Sequence, residues 1–165
     1  MCNNRDLQTL WCNHLPSKVN LLIWKLQHKR LATFDNLAKR GIIPETKPCP
    51  FCSLSPETED RIFADCFMAR NILREIADWW KLGQPPNSLE EILSWGELSN
   101  FSGENLQLFN AVIFTCLWQI WNSRNELVHE KKKDTIERMF LTINSRGKLR
   151  RKLVWGDWVY SPCSA

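Results

Sequence analysis

The chain lacks the features that would place it in a membrane or outside the cell. No apolar run approaches the roughly 18 residues of a membrane span. The longest, Ala111 to Trp121, is interrupted by Thr115 and Gln119. The N-terminus, MCNNRDLQ, is polar and carries no apolar signal core. The seven cysteines are an odd number, which argues against a disulfide framework. Without a secretion signal they are expected to be reduced thiols, in an intracellular protein of the nucleus or cytoplasm. There is no internal repeat, no low-complexity tract and no alternating run long enough to build a sheet. No membrane and no small-molecule substrate is expected as a partner.

What is present is apolar and aromatic. With 165 residues, 44% of them hydrophobic, and nine tryptophans, the chain can bury a sizeable core as one domain with a tail. A bound metal would then be a local staple rather than the sole source of stability. Most tryptophans fall on helical stripes and read as core, with Trp155 and Trp158 as the exceptions suited to stacking on nucleic acid.

The charge is unevenly placed. Lys131 to Lys152 holds nine basic and two acidic residues, while the whole chain carries only +4, so the remainder is slightly acidic. This divides the chain into a helical domain over 1–130 and a basic C-terminal helix or tail over 131–165. Lys131, Lys132, Lys133, Arg146, Lys148, Arg150, Arg151 and Lys152 are candidates for RNA or DNA phosphates. Lys29 and Arg30, in the run His28-Lys29-Arg30, form a second candidate rim with Lys39 and Arg40. The competing reading of both segments is a solvated helix face or helix end.

The apolar periodicity predicts a mainly α fold, a small helical domain with a zinc-knuckle turn. A first helix runs from a Ser17 cap to about Arg30, with Val19, Leu22, Ile23 and Leu26 inward and Leu21 and Trp24 widening the buried face. A short helix follows a Thr33 cap and ends at Gly41, where a left-handed residue is wanted. Pro56 precedes another short helix, with Thr58, Glu59 and Asp60 in its first turn and Ile62 and Phe63 inward. The next helix spans about 67–82, stopped by Gly83 and the Pro85-Pro86 pair. Ser88 and Glu91 form a capping box for a helix over 89–95. The longest helix starts after Ser102 and ends near His129, which caps it, and Ile136, Met139, Phe140 and Ile143 outline a further one.

The chemistry is concentrated in CPFCSLSPETEDRIFADC, residues 49–66. A C-x2-C pair on a tight turn, followed at short range by another cysteine, is how small zinc modules place their thiolates. Cys49, Cys52 and Cys66 are the candidate metal ligands, and zinc is the candidate cofactor. The fourth ligand is missing. No histidine lies between Cys52 and Cys66, and Arg61, which stands where one is wanted, cannot ligate a cation. Four readings follow: three thiolates completed by water or by Asp60 or Asp65; a metal-free packed remnant; completion by a partner or by His14 or His28; or redox chemistry.

WCNHLPSKVNLLIWKLQHKRLATFDNLAKRGI, CPFC, ETEDRIFADC and LWQIWNSRNELVHE, in this order, resemble the reverse-transcriptase zinc-binding domain. That domain lies downstream of the polymerase in plant LINE-type (non-LTR) retrotransposons. The resemblance covers about residues 10 to 130. It implies zinc ligands at Cys49, Cys52 and Cys66, with the family histidine falling on Arg61, and Ala32 where a proline is usual. It also implies RNA or DNA, or a reverse transcriptase or other protein, as partner. A polymerase palm needs paired carboxylates holding two divalent metals, and no Asp-Asp pair occurs. Nor is there the mixed α/β scaffold of an RNase H site. The expectation is therefore a fragment or stand-alone descendant without catalysis of its own, contacting RNA or DNA non-specifically. The alternatives are a structural domain packing against a polymerase and a decayed, metal-free fragment.

Overall fold

A computed structural model of the chain describes residues 15–129. The C-terminal segment 131–165, with its eight candidate cations and Trp155 and Trp158, lies outside the described residues, as does His14. Among the described residues the architecture is helical: α1 (Ser17–Gln27), α2 (Phe34–Lys39), a π-helical turn (Arg61–Asp65), α3 (Phe67–Trp80), α4 (Leu89–Leu93), α5 (Trp95–Leu98) and α6 (Gly103–His129). The β-type pairing among them is an isolated antiparallel bridge between Pro48 and Pro56.

Helix α6 is the axis of the domain. Phe109, Val112, Ile113, Cys116, Leu117 and Ile120 recur at helical spacing and are buried. Against them pack α1, α4, α5 and the π-helical turn, while α3 packs on that turn. Phe109 sits at the centre of an aromatic cluster, its ring 5.1 Å from Trp80, 5.4 Å from Trp95 and 5.0 Å from Phe101. The contacts with Trp80 and Trp95 are edge-to-face, the arrangement the ring quadrupoles favour. Gly96 makes the close approach of α5 to α6 possible: a Cβ there would lie 2.6 Å from Leu106 and 2.9 Å from Asn110.

Local chemistry sets most boundaries. The Thr33 hydroxyl accepts the Asn36 amide and starts α2. Gly41, at φ +69°, ends it, with its own N–H donating to Ala38 and that of Ile42 to Leu37, a Schellman closure. Ser88 accepts the Glu91 amide, and the Glu91 carboxylate reaches back to the amide of Asn87, one residue before the usual capping-box partner.

Four expectations are corrected. Ser17 does not cap α1; Pro16 holds the N-cap position, and no side chain bonds there. Helix α1 ends at Gln27, because Lys29 turns to φ +51°, and its buried face is narrower than expected, with Leu21 48% exposed. Helix α3 stops two residues before Gly83, at Lys81, which itself takes the left-handed conformation at φ +55°.

Candidate metal centre and basic rim

The knuckle is a reverse turn held by its backbone. Cys49 N–H donates to Ser55 at 2.8 Å, Ser53 N–H to Cys49 at 2.8 Å and Glu57 N–H to Lys47 at 2.9 Å. The first and last of these bonds flank the Pro48–Pro56 bridge, so the two prolines face each other where neither needs an N–H. Ser53 completes the turn at φ +54°. The third cysteine arrives on the π-helical turn. Cys66 N–H donates to Arg61 C=O, five residues back, at 2.8 Å, and this wider turn delivers Cys66 to the knuckle.

Thr58, Glu59 and Asp60 are expected in the first turn of a short helix, where the carboxylates suit its dipole. The carboxylates of Glu57, Glu59 and Asp60 also crosslink the fold. Glu57, fully buried, accepts two bonds from Arg124 of α6, at 2.7 and 3.2 Å, and one from the Phe34 amide at 3.1 Å. The Arg124 guanidinium lies between the rings of Phe34 and Trp121, 4.7 and 4.9 Å from their centroids. Thr58 accepts the Arg61 amide at 3.0 Å. Glu59 accepts the Leu31 amide and the Asn36 side chain at 3.3 and 2.8 Å. Asp60 accepts the Leu89 amide at 2.8 Å, capping α4. Burial pushes the Glu57 and Glu59 carboxyls above their ordinary range, against the pull of these donors.

The Sγ atoms of Cys49, Cys52 and Cys66 converge within 4.8 Å of one another. Cys49 and Cys66 are buried and Cys52 is partly so. Thiolates this close can share a metal ion, zinc included. The Cys66 hydrogen bond lowers the Cys49 thiol to about 5, aided by the Phe51 and Cys52 backbone and against the cost of burial. The same hydrogen bond and burial push the Cys66 thiol up.

Among the described residues a closed tetrahedral set is not formed: no further Cys, His, Asp or Glu joins the three sulfurs. Asp60 is engaged at α4, Asp65 is exposed, and His28 bonds the Trp24 carbonyl at 2.8 Å. Arg61 comes to the cluster instead, its Nη2 donating to Cys52 Sγ at 3.3 Å. A guanidinium has no lone pair for a metal.

Lys29 and Arg30 are exposed on the turn between α1 and α2. Arg30 lies over the Trp24 ring at 5.5 Å, and His28 stacks on the same tryptophan with ring centroids 4.6 Å apart. Arg40 donates to the Lys29 carbonyl at 3.4 Å, so α2 adds a cation to the rim. Lys39 is paired with Asp35. Glu59, through Leu31 and Asn36, ties this rim to the segment that follows the knuckle.

Fold and site together define a helical domain that carries a three-cysteine knuckle. Residues 2–72 match the family described as zinc-binding in reverse transcriptase. The match takes in all three cysteines and stops before α4, α5 and α6. No curated protein and no solved structure matches the chain. No helix among the described residues is long and apolar enough to cross a membrane.

Proposed function

We propose that this chain is a non-catalytic, zinc-knuckle-type module derived from a retrotransposon reverse transcriptase, of the plant LINE lineage, that contacts RNA or DNA phosphates without sequence preference. The exposed cationic turn of Lys29, Arg30 and Arg40, tied to the knuckle through Glu59, carries this reading. Lys131, Lys132, Lys133, Arg146, Lys148, Arg150, Arg151 and Lys152 supply the larger part of the charge. Cations engage phosphates by releasing condensed counterions, so affinity falls steeply with salt. The module works inside the cell, and its parent polymerase supplies any catalysis; primer extension by this chain alone would contradict that.

The test is fluorescence-polarisation binding to single-stranded RNA and DNA over a salt series. The logarithm of affinity should fall with the logarithm of salt by about 0.7 per phosphate contacted. Lys29→Glu with Arg30→Glu should weaken binding to all sequences alike and shallow that slope by about one to two. Binding that ignores salt, or no binding, contradicts the proposal.

A second reading, a structural domain that packs against a polymerase or another protein, is favoured by exposed apolar side chains. Leu54 at the knuckle is 81% exposed, and Ile42, Phe67 and Leu98 are more than half exposed. It predicts self-association of the isolated chain in light scattering, and a monomer that binds nucleic acid counts against it.

A further inference from the structure

We propose that Arg61 takes the metal's place in this knuckle, so that its guanidinium is the cation that closes the cysteine cluster and the turn forms without zinc. Structural zinc needs four donors in a tetrahedron, and the described residues bring only three. Beside those three stands a fixed positive charge. Arg61 is positioned from both ends: its amide bonds Thr58 Oγ1 at 3.0 Å, and its carbonyl accepts Cys66 N–H at 2.8 Å. Its Nη2 donates to Cys52 Sγ at 3.3 Å, and its charge acts on Cys66 and Cys49 as well. The Nε is buried and without a partner, leaving a donor for a second acceptor.

A cation at this position does two things to a metal ion. It satisfies the sulfurs that would otherwise favour one, and it repels a dication drawn to about 2.3 Å from the same Cys52 sulfur. The other duty of a structural metal, crosslinking the turn to the next element, is met by protein groups. Glu57, Glu59 and Asp60 each bond across the fold, and the knuckle closes on its own backbone. This inference is independent of nucleic-acid binding, and either can fail without the other.

The experiment is metal content by mass spectrometry of the reduced full chain after zinc supplementation, with thermal melts in the presence and absence of a chelator. The wild type should hold no stoichiometric zinc, and its melting temperature should be unmoved by chelator. Arg61→His, which restores a donor, should take up one zinc at least on the order of 100-fold more tightly than the wild type and become chelator-sensitive. Arg61→Gln, which keeps a donor but removes the charge, should melt below the wild type in chelator, with Arg61→Lys recovering part of the loss. One zinc in the wild type, with a chelator-dependent melt, overturns the proposal. So does an Arg61→Gln variant that melts like the wild type.

Discussion

Arg124 and Glu57, 67 residues apart in the chain, meet as a two-bond ion pair sealed from solvent, with side-chain exposures of 4% and 0%. The pair joins the end of α6 to the residue just beyond the knuckle turn. Removing one partner of a buried pair strands a charge, which typically costs about 3–5 kcal/mol. Arg124→Met should therefore lower stability by about that much in urea unfolding. Replacing both partners, as Glu57→Gln with Arg124→Met, should cost less than the sum of the single changes. Strict additivity would mean that the two do not act together.

Two caps allow a finer test. Thr33→Ala and Ser88→Ala each remove one side-chain acceptor from a helix start and should each cost about 1 kcal/mol. They belong to separate short helices, so their effects should add. Ser17→Ala should be near neutral, since no side-chain cap bond exists at the start of α1. A Ser17 effect as large as that of Thr33 would contradict the assigned boundary.

Gly96 tests the packing of α5 on α6. A methyl there meets Leu106 at 2.6 Å, Asn110 at 2.9 Å and Phe109 at 3.1 Å. Gly96→Ala should cost about 1–3 kcal/mol despite the better helix propensity of alanine, and should perturb the near-ultraviolet signal of Trp95. Gly83→Ala, which meets nothing within 4 Å, is the control.

The cysteine cluster ties stability to pH. Cys49 is lowered from 9.0 to about 5, so the native state releases this proton before the unfolded chain does. Its stabilising contribution is complete above pH 9 and is lost as pH falls towards 5. Cys66 is raised above 9.0, so its contribution is complete below pH 9 and is lost as pH rises further. Under reducing conditions the urea midpoint should therefore gain a component that climbs from pH 6 to 9. Cys49→Ala should lack that component. An identical slope in both proteins would contradict the assignment.

The helices were legible because their signals are local. The stripe of α6, the Thr33 and Ser88 caps and Gly41 each follow from a few neighbouring residues. The three cysteines were legible by spacing, and the structure brings them together. The links between distant elements were not. Glu59 and Asp60 read only as dipole-favouring carboxylates and Glu57 carried no signal of its own, because the partners of all three lie on α2, α4 and α6 rather than nearby. One signal was available. Arg124 continues the Leu117–Ile120 stripe at helical spacing, and a cation on a buried stripe needs a carboxylate partner. Arg61 could be seen as a missing ligand, but its bond to Cys52 depends on the π-helical turn, which periodicity does not announce.

The most direct measurement of the central claim is amide hydrogen exchange across the knuckle of the reduced wild-type chain in excess chelator. If protein contacts and Arg61 hold the turn, the amides of Cys49, Ser53 and Glu57 should stay protected to the same degree with chelator as with added zinc. Protection that appears only with zinc would show that the metal, not Arg61, closes the knuckle.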